Sequence, residues 1–184
     1  MCEKDAAPWS RRYVMARMFR WTTGVSLGAG GWASVQAQAA AGRPTGSLEI
    51  HSESGLSVLL NAEQIAGLPQ RTTRTSTAWT DGVHAFEGPL VSDVIRAAGF
   101  ALPAHAKVQA RALNGYVIEI PAEDFVRWPV IVAWSMDGKA LTRRDKGPFW
   151  IVYPRNDDKV LHDAKYDHRW AWQLQQLTVR SERP

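Results

Sequence analysis

Alternating apolar and polar side chains mark the strands of this chain. Ser47–His51 (SLEIH) puts Leu48 and Ile50 on one side, and Ser57–Leu60 (SVLL) follows as a second strand. Asn61 with Gln64 three residues on has the form of a capping box, opening a short helix over Ala62–Ala66 that Gly67 and Pro69 close. Arg71–Trp79 (RTTRTSTAW) is rich in threonine, which suits a half-exposed strand. Pro89–Ala98 predicts a helix with proline in its first turn, Leu90, Val94, Ala97 and Ala98 on one face, and Gly99 as the stop. Asn114-Gly115 and Asp137-Gly138 each predict a type I′ turn, joining Lys107–Leu113 to Tyr116–Ile120 and Val130–Met136 to Lys139–Leu141. Pro121–Val126 reads as one helical turn, Phe149–Tyr153 (FWIVY) as a buried strand between two prolines, and Gln173–Val179 as the last strand. Many short strands with a few short helices predict an α+β fold on a mixed β-sheet.

The composition fits one globular domain: 184 residues, 45% hydrophobic and 22% charged. The pI of about 9.5 suggests an anionic partner. Residues 1–39, however, hold five of the 22 basic residues and two of the 18 acidic ones, leaving 17 against 16. A net of +1 carries no electrostatic footprint for nucleic acid or an anionic membrane.

The basic excess sits in a leader. From Met15 the chain reads MARMFR, then an uncharged Gly/Ala/Val-rich stretch Trp21–Val35, then Ala37-Gln38-Ala39. A basic region, a short apolar region and a small-x-small site make a signal peptide over 1–39, too short in its apolar part to span a bilayer. Cleavage after Ala39 and export to the periplasm are expected, leaving a short segment 40–46 ahead of a single domain over 47–180. Ser10-Arg11-Arg12-Tyr13-Val14 resembles a twin-arginine signal, but Arg17 and Arg20 interrupt it and Met15 or Met18 can serve as start, so the general secretion route is favoured. Cys2 is the sole cysteine, and it lies in the leader. The exported product therefore has no disulfide, thiolate metal ligand or cysteine nucleophile.

Five motifs occur in order. Phe86-Glu87-Gly88-Pro89-Leu90, Ala112-Leu113-Asn114-Gly115-Tyr116, Asp137-Gly138-Lys139-Ala140-Leu141, Asp145-Lys146-Gly147-Pro148-Phe149-Trp150 and Trp172-Gln173-Leu174 together resemble the oxidoreductase molybdopterin-binding domain, over roughly Leu48–Val179. The resemblance implies the sulfite-oxidase (SUOX) fold in a short exported form. In catalytic members a cysteine thiolate binds molybdenum; the matching segment here, Thr73–Trp79, has none. Ser76 or Thr77 offers only a hydroxyl, a poor ligand for a soft metal. Catalytic members also carry an arginine where this chain has Trp150. Short cysteine-free members are associated with binding pterins in the periplasm and with influencing membrane-bound cyclic-di-GMP enzymes. The resemblance thus implies a pterin or molybdopterin-like ligand held without catalytic molybdenum, and a membrane-bound signalling protein as partner. The alternative is a molybdopterin-dependent oxidoreductase or a subunit of one.

A pterin is flat and polar-edged, so its site needs stacking faces and hydrogen-bonding groups. If the fold is as implied, the loop Thr80-Asp81-Gly82 after Trp79, the hairpin end Asn114–Tyr116, the loop Arg143–Lys146 and the segment Arg169–Trp172 converge on one mouth. Trp79 then stacks on the ring, Tyr116 or Trp172 closes the other side, and Arg144, Lys146 or Arg169 donates to the polar edge. The bland alternatives are core packing for Trp79 and the other tryptophans, local pairing with Asp145 for the loop cations, and turn formation for Asn114. Trp134 and Trp150 lie inside strand patterns and read as core. His162 and His168 fall in a polar stretch, Asn156–Arg169, that reads as a surface loop without zinc-site spacing.

Overall fold

The computed structural model describes residues 42–181; the expected leader over 1–39 lies outside the described residues. In chain order the elements are β1 (Ser47–Ser52), β2 (Ser57–Asn61), α1 (Ala62–Ala66), β3 (Gln70–Thr77), β4 (Thr80–Pro89), α2 (Val91–Ala97), β5 (Lys107–Ala112) and β6 (Val117–Pro121). They continue with α3 (Glu123–Arg127), β7 (Ile131–Ala133), β8 (Ser135–Met136), β9 (Lys139–Ala140), β10 (Trp150–Val152), a 3-10 turn (Lys159–His162), α4 (Ala164–Asp167) and β11 (Leu174–Arg180). The result is the α+β mixed-sheet architecture that the residue pattern predicts.

The larger sheet runs β2-β1-β11-β5-β6. β11 lies in its middle, parallel to β1 and antiparallel to β5. Leu48, Ile50, Leu60, Val108, Ala110, Ile120, Leu174 and Leu177 are buried on the core side. The step of three between Leu174 and Leu177 breaks strict alternation, and a register slip between Leu174 and Gln176 absorbs the extra residue as a bulge. A second sheet runs β3-β4-β8-β9, and β7 pairs with β10 beside it. The core fills the space between them, with Phe86, Ile131, Val132, Phe149, Trp150 and Ile151 fully buried.

Local chemistry explains several elements. Asn61 Oδ1 accepts from Gln64 N and Gln64 Oε1 from Asn61 N, both at 2.9 Å, so the capping box closes reciprocally. Asp137 and Gly138 have φ of 50° and 75°, as a type I′ turn requires. Gly88 is sterically obligatory. A Cβ there would lie 2.0 Å from the Val132 carbonyl oxygen, so only glycine lets β4 come this close to β7.

Four expectations need correction. Pro89 ends β4, paired with Gln70, instead of sitting in the first helical turn; the buried face of α2 is Val91, Val94 and Ile95, and Ala97 is exposed. Thr80-Asp81-Gly82 is strand, because β4 is a long return partner for β3 that the mixed composition of Thr80–Pro89 disguises. The Val130–Met136 run divides at Trp134, whose N–H donates to Glu87 O at 2.9 Å and whose indole donates to Gln70 Oε1 at 2.8 Å, so the chain leaves β10 and joins β4. At Asn114-Gly115 only the glycine has positive φ, so the hairpin turns without type I′ geometry.

The β3–β4 ribbon is clasped to the β8–β9 turn by a charged pair. His84 Nδ1 lies 2.6 Å from Asp137 Oδ2, and Asp137 Oδ1 accepts from Ala85 N at 2.9 Å. The bond to Asp137 raises the His84 pKa above its ordinary 6.5. The Ala85 N–H, then His84, lower that of Asp137 below 3.8. The histidine contribution is complete below 6.5 and fades as pH rises through its raised pKa; that of Asp137 is present above 3.8 and fades as pH falls through its lowered one. Replacing Asp137 by asparagine should therefore reduce stability more at about pH 5.5 than at about pH 9, as read by urea unfolding at both values. Equal losses would show that the clasp owes nothing to charge.

Candidate functional site

Three separated segments meet over a group of indoles. Trp79 sits in the two-residue turn between β3 and β4; its N–H donates to Thr77 Oγ1 at 3.0 Å, and the Thr77 and Thr80 hydroxyls bond to each other at 2.8 Å. Tyr116 follows the β5–β6 turn, where Asn114 Oδ1 accepts its N–H at 3.0 Å, and its hydroxyl donates to His168 O at 2.8 Å. Burial raises the Tyr116 pKa. The third segment, 167–174, is laced to β10 and the loop ahead of it: Ile151 N donates to Ala171 O, Leu174 N to Phe149 O and Gln173 N to Lys146 O, at 2.8–2.9 Å.

These pieces enclose a cleft of about 320 Å3 lined by Trp79, Asn114, Tyr116, Asp167, His168, Trp170 and Trp172. Trp79, 39% exposed, rests on two buried indoles, its ring centroid 6.4 Å from that of Trp150 and 6.2 Å from that of Trp170. Trp150 and Trp170 lie 6.3 Å apart, and Trp170 stacks on Tyr153 at 5.9 Å. Lys146 Nζ stands 5.4 Å from the Trp172 ring centre and 5.7 Å from that of Trp150. Its backbone has φ of 67°, a costly conformation for lysine that fixes the cation at the rim. Asp167 Oδ1 takes a hydrogen bond from Arg155 Nη1 at 2.9 Å. Larger clefts of about 390 and 550 Å3 lie beside Phe100 and Val179 and beside Arg43 and Ala66. Neither gathers more than one aromatic ring, so size alone does not mark the site.

The six residues singled out from sequence divide. Trp79, Tyr116 and Trp172 line the cleft, and Lys146 stands over Trp172. Arg144 is exposed and makes no side-chain bond to a described residue. Arg169 is turned inward, a correction to its expected place at the ligand edge. Its guanidinium donates to Asp124 Oδ2 and lies 4.7 Å over the Tyr166 ring. Asp124, on α3, is buried and also accepts the Tyr153 hydroxyl at 2.8 Å, so the charge 45 positions upstream captures the arginine. Burial pushes the Tyr153 pKa well above 10, and Asp124 adds to the effect.

Sequence reasoning passed over Trp170, Asp167 and His168. The sequence places Trp170 among the core tryptophans and the other two in a surface loop. That stretch is instead the 3-10 turn and α4, which bury Leu161 and Tyr166. The density of the run His168-Arg169-Trp170-Ala171-Trp172 was the available signal. Among the described residues no three His, Cys, Asp or Glu side chains gather as a metal site would need. In the Thr73–Trp79 segment the hydroxyls bond internally: Ser76 Oγ and N both donate to Asn156 Oδ1 at 2.9 Å.

A model of the oxidoreductase molybdopterin binding domain family matches residues 47–156. Among solved structures the fold is similar to the sulfane dehydrogenase SoxCD from Paracoccus pantotrophus, with a TM-score of 0.57 and 17% identity over 77% of this chain and 39% of that one. The chain thus spans well under half of that protein. No curated protein matches the chain by sequence.

The buried Asp124–Arg169–Tyr153 network anchors the 167–172 wall. Asp124→Asn should lower the unfolding free energy by about 2–3 kcal/mol, less than for a fully buried pair because the Arg169 side chain keeps 21% exposure. Chemical denaturation reads this directly. A loss below about 0.5 kcal/mol would show that the network is not what holds the wall.

Proposed function

Since this chain belongs to the oxidoreductase molybdopterin binding domain family, we propose that it is a pterin-binding module whose ligand stacks in the aromatic cleft, without a thiolate-held molybdenum. The observation that carries this reading is the meeting of Trp79, Tyr116, Trp170 and Trp172 around one cleft with the Lys146 cation at its rim. Flat faces of this kind suit a conjugated bicyclic ring. Trp79 and Trp172 supply the exposed faces, Lys146 supplies a donor, and the Asp167 carboxylate, one oxygen of which is taken by Arg155, supplies an acceptor for an amino-bearing edge.

The same residues do not fit a molybdenum centre of the cysteine-ligated kind. Residues 42–181 contain no cysteine, and the hydroxyls where the ligand would be expected are engaged with Asn156 and with each other. No oxygen-transfer step is therefore assigned to these side chains. With the export that the leader implies, the ligand is met in the periplasm, and a membrane-bound signalling protein is the partner in keeping with a non-catalytic module. Family membership supports a second reading, a molybdopterin-dependent oxidoreductase or a subunit of one. Metal content separates the two. Protein produced with ample molybdate and an intact cofactor pathway should carry far less than one molybdenum per chain; a stoichiometric metal would establish the second reading.

The stacking role of Trp79 is open to direct test by titration with a pterin followed through tryptophan fluorescence. Trp79→Ala should weaken binding about tenfold or more, the equivalent of roughly 1–2 kcal/mol for a lost aromatic face. Its edge contacts with Trp150 and Trp170 make a stability loss of similar size expected, so Trp79→Phe, which keeps a face, should recover much of both. Unchanged affinity in the alanine variant would remove Trp79 from the site.

A further inference from the structure

Four of the described tryptophans are buried, and their N–H groups fall into two classes. Trp128 Nε1 donates to Asp158 Oδ2 at 2.9 Å and Trp134 Nε1 to Gln70 Oε1 at 2.8 Å. Trp150 Nε1 and Trp170 Nε1 are buried with no partner. An unpaired buried donor costs free energy comparable to a lost hydrogen bond, which is why such groups are uncommon in folded proteins. A hydroxyl such as Ser135 Oγ, the third unpaired atom of this kind among the described residues, can rotate toward a neighbour. An indole N–H is fixed by its ring.

The two orphans are also neighbours. Their rings lie 6.3 Å apart, Trp170 lines the cleft, and both rings are covered by Trp79. Trp79 itself sits at the tip of the β3–β4 ribbon, the part of a hairpin with the fewest constraints. Lys146 Nζ, over the Trp150 ring, is a third group that donates and cannot accept.

We infer that the ligand of this cleft is selected by hydrogen-bond acceptors on one ring edge, which take the N–H groups of Trp150 and Trp170 when Trp79 turns aside. This rests on the reading of the cleft as the ligand site, and it adds what that reading lacks: the chemistry that tells one flat ring from another. Stacking alone accepts any aromatic surface. A pair of unpaired donors favours rings whose edge carries acceptors, because only such a ring supplies the missing hydrogen bonds, whereas a ring without them leaves both N–H groups as they are in the free protein.

The test uses the indole N–H resonances of the 15N-labelled protein, assigned through NOEs to neighbouring rings, with pterin and naphthalene as probes and tryptophan fluorescence as an independent measure of binding. Pterin should move the Trp150 and Trp170 resonances downfield and slow their exchange with solvent, saturating in step with the fluorescence. Those of Trp128 and Trp134, already bonded, should stay. Naphthalene should bind at least tenfold more weakly than pterin, and Trp170→Phe, which keeps an aromatic ring and loses the N–H, should narrow that gap. Should the variant not fold, the spectra of the unaltered protein decide alone. Saturating pterin binding with either resonance unmoved overturns the inference and leaves the reading of the cleft standing. No pterin binding by fluorescence overturns that reading, and the inference with it.

Discussion

The fully buried indole of Trp150 is where the two halves of the domain are joined. Its strand, β10, pairs with β7 on one side, and on the other the Ile151 N–H holds the 167–174 segment by donating to Ala171 O. The ring meets Phe86 edge-on at 5.3 Å, supports Trp79 and Trp170, and lies under Lys146. Strands of the second sheet, the returning wall and the cation loop are thus all placed by reference to one side chain. The close approach of β4 and β7, possible only at Gly88, brings Phe86 within reach of it.

Much of the framework was legible because it depends on neighbours in sequence. Alternation of apolar and polar residues located β1 and, but for its bulge, β11; the Asn61–Gln64 pair located α1, Asn114-Gly115 marked the end of β5, and Asp137-Gly138 located its turn, since each signal is contained within a few residues. What was lost depends on partners far away. β4 carries Thr, Asp, Gly, His and Glu among its apolar positions and exists because β3 and β8 hold it. The Val130–Met136 run divides because Trp134 finds Glu87 and Gln70. Among the residues lining the cleft, Trp79, Tyr116 and Trp172 were recognisable as aromatics beside loops or turns. The inward turn of Arg169 depends on Asp124, and nothing near the arginine announces it.

Charge is used sparingly around the cleft. Residues 40–184 have nearly balanced charge, and the buried Asp124–Arg169 pair sits behind the wall, tying α3 to the segment after α4. The cleft itself relies on rings, one rim cation and one half-engaged carboxylate. Such a surface recognises shape and the pattern of donors and acceptors more than net charge.

The place of β11 has a bearing on how the molecule is made. The last strand of the domain fills the centre of the larger sheet, so the β1–β2 and β5–β6 hairpins have no common partner until residues 174–180 are available. A chain delivered from its N-terminus must carry two open hairpins until residues 174–180 have emerged. Closure then requires a parallel pairing across more than 120 residues, among the slowest contacts a chain of this size can form. The order of the strands therefore holds back closure of the larger sheet until β11 is present, and makes that one strand the keystone of its assembly.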